Sequence, residues 1–123
     1  MNGGYTLDCV AHACALAQLL FDEGRRPWIG RLRDITECAE GTFHAPLIPI
    51  RFTGKLARTW NTHYVCCAGE DVYDPIVGTP LPVAQYAQTV FGRELAMQEH
   101  WSPEATADLL QRGELRQSFR RTG

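Results

Sequence analysis

The chain has 123 residues, the size of one ordinary domain, so any site must be built around a single core. At 45% hydrophobic and 21% charged it holds too much apolar material for a disordered chain, and 12 Lys and Arg against 14 Asp and Glu leave a formal net charge of −2, without the cationic field that nucleic-acid binding uses. The strongest apolar run, from Cys9 to Phe21, is interrupted by His12 and Gln18 and is too short to span a bilayer, so neither nucleic acid nor membrane is expected as a partner.

The opening Met1-Asn2-Gly3-Gly4-Tyr5 has no basic n-region, and no small-residue cleavage site follows an apolar stretch, which implies a cytoplasmic domain or one delivered as part of a larger secreted protein. Asp8 or Thr6 then caps a helix whose Val10, Ala13, Leu16, Ala17 and Leu20 follow the 3.6-residue period, with Gly24 as its stop. Residues 27–32 are extended, as are residues 47–52, where Pro49 suits an edge strand or a loop. Thr62-His63-Tyr64-Val65-Cys66-Cys67-Ala68, a turn at Gly69-Glu70-Asp71 and Val72-Tyr73-Asp74 before Pro75 read as a hairpin central to the sheet. Residues 78–82 read as loop, and residues 83–91 as a helix stopped by Gly92. Ser102-Pro103-Glu104 starts another helix that runs to about Arg112, with Gly113 just past its end. The expected class is α+β in one domain over residues 1–123, with 113–123 either a frayed basic tail or a continued helix. In the latter case Arg112, Arg116 and Arg120 form a stripe that is either a solvated face or a dock for an acidic partner.

The cysteines Cys9, Cys14, Cys38, Cys66 and Cys67 are odd in number and two are adjacent, which fits reduced thiols better than a disulfide framework. Cys9 stands at the start of the first helix, where unpaired N–H groups and the helix dipole favour a thiolate and would also hold an oxyanion; the plainer alternative is a small apolar residue packed at a helix start. His63 and Asp74 sit on the two strands of one hairpin, and its folding brings them together. A histidine beside a thiol takes its proton, and a carboxylate on the far ring nitrogen fixes the tautomer. Read alone, each is a satisfied core histidine or a turn-forming aspartate. Trp60 precedes the histidine strand and either walls the site against water or belongs to the core. His12 follows Cys9 on the same helix face and reads as a packing residue, and His44 and His100 lie in unassigned loops without a role. A zinc site is disfavoured, because no Cys-x-x-Cys pair occurs and Cys66 and Cys67 alternate to opposite strand faces.

Gly4-Tyr5-Thr6-Leu7-Asp8-Cys9-Val10-Ala11-His12-Ala13, Thr62-His63-Tyr64-Val65 and Val72-Tyr73-Asp74-Pro75 with Gly78 together resemble the papain-like and transglutaminase-core cysteine enzymes, and most of all the small papain-fold toxin (effector) domains of bacterial polymorphic secretion systems. The resemblance covers about residues 4 to 92. It implies a papain-like fold in which the helix that carries the nucleophile packs on a small antiparallel sheet, with helices after it. It also implies a cysteine hydrolase working through Cys9, His63 and Asp74, with Trp60 and Asp8 near the substrate. Gly3 stands where papain-type enzymes carry an oxyanion glutamine, Leu7-Asp8-Cys9-Val10 replaces the papain nucleophile signature, and Asp74 replaces its asparagine. Asn2, Thr6 and the backbone of Asp8 are all open as oxyanion donors. These departures favour glutamine deamidation or transglutaminase-like chemistry on a protein substrate over papain-like proteolysis, with neither metal nor organic cofactor. A cognate inhibitor or immunity protein is the further partner such a toxin implies. The rival from another class is an inactive interaction domain.

Overall fold

A computed structural model describes residues 9–50, 60–75 and 77–122 of the chain. The fold is α+β, with a five-stranded sheet between two layers of helix. Helix α1 (Cys9–Asp22) is followed by β1 (Pro27–Arg33), β2 (Ile35–Cys38), β3 (Gly41–His44), β4 (Thr62–Ala68), β5 (Asp71–Tyr73), β6 (Leu81–Pro82), α2 (Val83–Phe91), β7 (Gln98–Trp101), α3 (Pro103–Gln111) and α4 (Leu115–Thr122). Strand order is β6-β5-β4-β1-β7 with every neighbouring pair antiparallel, which puts the β4–β5 hairpin inside the sheet.

Strand alternation divides the interior into two cores. Ile29, Cys66 and Ala68 face one side and pack with Ala13, Ala17 and Leu20 of α1, Leu109 and Leu110 of α3, and Leu115 and Phe119 of α4. Leu32, Val65, Cys67 and Val72 face the other, against Tyr86, Ala87, Val90 and Phe91 of α2. The helix ends follow their sequence signals. Ser102 Oγ accepts from the Ala105 N–H at 3.0 Å with Pro103 in the first turn, and Gly92, in the left-handed region at φ 75°, donates its N–H back to the Gln88 carbonyl.

Several expectations are corrected. His44 and His100 are not in loops: His44 lies in β3, which pairs only with β2 to form an exposed hairpin apart from the main sheet, and His100 lies in β7 at the sheet edge. Both segments are four residues long and carry no apolar alternation, so nothing in their pattern separates a strand from a loop. Leu81 and Pro82, read as loop, make a two-residue strand against β5. Within 47–52 the described residues form no strand; Leu47 makes an isolated bridge to Trp60, and Arg51 and Phe52 lie outside the described residues. Asn2, Gly3, Thr6 and Asp8, the candidates around the thiol, also lie outside them. Residues 115–122 are helix, with Leu115 and Phe119 in the core. No helix is long and apolar enough to cross a membrane among the described residues.

Candidate active site

The N-terminus of α1 meets the sheet beside the beginning of β4. Strand β5 stops at Tyr73, which pairs with Cys66, so among the described residues the earlier part of β4 has no strand neighbour on that edge. There the Tyr64 N–H donates to Cys9 Sγ, with N and S 3.5 Å apart. The sulfur thus sits at the N-terminus of its own helix with one backbone donor from the sheet beside it.

His63, one residue earlier on β4, points to the α2 side and is 2% exposed. Its Nε2 lies 3.1 Å from Asp74 Oδ2, and Asp74 directly follows β5 in the same hairpin. The carboxylate is itself held from the far side: the Tyr86 hydroxyl of α2 donates to the same Oδ2. The other ring nitrogen, Nδ1, is buried and has no hydrogen bond of ordinary geometry among the described residues. Burial alone would push His63 down, but hydrogen bonding and charge from Asp74 and from the Cys9 thiol outweigh it and raise its pKa to about 9. The Cys9 thiol is therefore near enough to the ring to favour the imidazolium. Aromatic rings close the site: Trp60 lies over the imidazole at 4.2 Å between centroids, and Phe91 meets it edge-on at 5.8 Å. Trp60 is held by paired backbone hydrogen bonds with Leu47, of 2.8 and 3.1 Å.

No family model, curated protein or solved structure matches the chain.

Cys9, His63, Asp74 and Trp60, named from the sequence, converge. Asp8 lies outside the described residues. Tyr86 is the residue that sequence reasoning missed: a tyrosine on the buried stripe of a short helix reads as core, and only the contact with Asp74 sets it apart. The remaining thiols differ from Cys9. Cys66 is buried, which pushes its thiol up to about 12, and burial raises Cys67 as well. Cys14 is half-buried along α1, and Cys38 is exposed on β2. A largely apolar cleft of about 220 Å³ opens beside Asp74, between Leu16, Tyr73, Pro75 and the 78–80 loop. Neither Cys9 nor His63 lines it, so it is not where an amide would meet the thiol. Among the described residues no three His, Cys, Asp or Glu side chains converge to hold a metal.

Proposed function

We propose that this chain is a cysteine-dependent amide hydrolase of papain-like architecture, with Cys9 as nucleophile, His63 as acid and base, and Asp74 as the group that orients the ring. The reading rests above all on one observation, a fully buried histidine set between a carboxylate and a thiol at a helix N-terminus. A core with no use for charge would not place His63 and Asp74 there together.

His63, its pKa raised to about 9, takes the proton of the Cys9 thiol and holds it as an imidazolium beside the sulfur. The thiolate sulfur attacks the carbonyl carbon of a carboxamide, and the charge that develops on oxygen is met by the positive end of the α1 dipole. The C–N bond breaks as His63 gives its proton to the departing nitrogen, which leaves as ammonia or an amine. A thioester remains on Cys9. Water then gives a proton to His63 and its oxygen to the acyl carbon, the C–S bond breaks, and the acid product leaves with the thiolate–imidazolium pair restored. An amine in place of water would give a crosslink. Asp74 holds Nε2–H, so that Nδ1 is the nitrogen that works on sulfur and substrate. Tyr86 fixes Asp74, and Trp60 and Phe91 exclude water from the ring.

The preferred substrate is a protein glutamine. A side-chain carboxamide reaches a shallow thiol at a helix N-terminus more easily than a backbone amide, which must be held extended in a groove that this short chain has few residues to build. A bacterial toxin or effector role belongs to the same proposal and rests on the sequence resemblance. Incubating the purified domain with cell lysate and following products by mass spectrometry tests the reaction: glutamine-to-glutamate conversion with ammonia release is expected. Fresh N-termini without ammonia would make it a protease, and no change under conditions where Cys9 alkylates no faster than Cys38 would leave an interaction domain.

A further inference from the structure

On the α1 side of the sheet, Arg31 and Arg33 stand two residues apart on β1 and so on one face, and Arg31 lies opposite Tyr64 of β4. On the other side of β1, the Gln98 side chain of β7 accepts from Arg31 Nε at 3.0 Å, and His100, two residues on, brings its ring to 5.0 Å from that of Tyr64 and stacks on Phe119 of α4. Two guanidinium groups and an imidazole are thus gathered in one place. No carboxylate makes an ion pair with Arg31 or Arg33 among the described residues. Two nitrogens of the cluster, Arg33 Nε and His100 Nε2, are buried and have no hydrogen-bond partner among the described residues. Burial, with Arg31 and Arg33 beyond it, holds His100 below its ordinary pKa, so at neutral pH it offers an N–H without adding a third charge.

A fold that gathers like charges and leaves buried donors unpaired lowers its own stability unless something with negative charge and acceptor oxygens comes to meet them. Tyr64 links this cluster to the thiol: its N–H rests on Cys9 Sγ and its ring on His100. We infer that Arg31, Arg33 and His100 form an anion subsite one strand away from Cys9, which takes a carboxylate or phosphate carried by the substrate close to its reacting amide. The inference rests on the reading of Cys9 as nucleophile and gives it a specificity: a carboxamide with an acidic group nearby is preferred to one in neutral surroundings.

Two alkylating reagents that differ in charge test this without a known substrate. Iodoacetate and iodoacetamide both form a thioether at sulfur and release iodide, so their rate ratio at Cys9, read by peptide mass spectrometry, reports the local field. The ratio is expected to exceed that at exposed Cys38, to shrink as salt is raised, and to fall about twofold to fourfold in Arg31→Gln and again in Arg33→Gln, as loss of one charge at roughly 10 Å implies. Arg33→Lys, which restores the charge, is expected to recover most of it. A ratio unchanged in both glutamine variants overturns the subsite. Inorganic phosphate and succinate, added as protectants, separate the two sources: stronger protection by phosphate assigns a phosphoryl group, stronger protection by succinate a carboxylate, and protection by neither overturns the subsite. The underlying reading fails separately, if iodoacetamide at about pH 5.5 attacks Cys9 no faster than Cys38; the ratio in the arginine variants still decides the subsite.

Discussion

His63, Asp74 and Tyr86 form a chain of hydrogen bonds in which each member restrains the next, and their removal is expected to matter in graded fashion. Loss of the ring in His63→Ala removes the proton carrier and should cost the most rate; Asp74→Asn keeps the shape but loosens the tautomer and should cost less. Tyr86→Phe removes only the hydroxyl. It leaves the buried carboxylate short of one donor and should cost about tenfold, the worth of one hydrogen bond to a charged group. Ammonia release, or the iodoacetamide rate of Cys9 at neutral pH, measures all three, and a wild-type rate in any variant would remove that residue from the machinery. Cys9→Ala is expected to abolish turnover altogether. Cys14→Ala, Cys38→Ala and Cys66→Ala should retain most of it, because Cys14 and Cys66 pack in the interior away from the ring and Cys38 lies on the outlying hairpin.

The elements depend on local signals to different degrees, and this decides both what sequence alone reveals and what single substitutions will do. Helices α1, α2 and α3 were legible because apolar period and end signals agree in each: Ala13, Ala17 and Leu20 on one stripe, Gly92 as a left-handed stop, Ser102-Pro103 as a start. Replacing Ser102 by Ala, which removes the acceptor for the Ala105 N–H, should lower stability by about 1 kcal/mol in urea unfolding. The β4–β5 hairpin was legible from its apolar run and turn, and it carried His63 and Asp74 with it. The β2–β3 hairpin and β7 were not, since these four-residue strands bury little and carry no apolar alternation. Tyr86 was hidden because a helix stripe reveals burial and not which polar atom the hydroxyl meets. A close approach between elements is equally invisible until the strands are paired. At Gly30 of β1 an added Cβ would stand 2.6 Å from Met97 Sδ and 3.1 Å from Cys67 Sγ. The methionine end can swing away but buried Cys67 cannot, so Gly30→Ala should destabilise by about 1–3 kcal/mol through overpacking, seen as a lower urea midpoint with an unchanged slope.

Taken whole, the molecule builds its site across the sheet: Cys9 comes from the α1 layer, His63 from the central strand, and Asp74 and Tyr86 from the side covered by α2. The charge arrangement therefore exists only when both layers are packed, and it should vanish on global unfolding, which ties stability to pH. His63 titrates near 9 in the folded chain against its ordinary 6.5, because the hydrogen bonds and charge of Asp74 and Cys9 overcome its burial. The folded state thus holds the proton more tightly than the unfolded one. Its contribution is fully present below about pH 6.5 and is lost as pH rises through 9, where both states have released the proton. The size of the effect is on the order of 3 kcal/mol, reduced if a thiolate left without its cation regains a proton on unfolding. Urea unfolding between about pH 6 and pH 9.5 should show stability falling across that interval in the wild type. Cys9→Ala should keep part of the slope, since Asp74 remains beside the ring, whereas His63→Gln should flatten it. A Cys9→Ala curve as flat as that of His63→Gln would mean that Asp74 does not hold the proton on the buried ring, and the raised pKa of His63 would have to be abandoned.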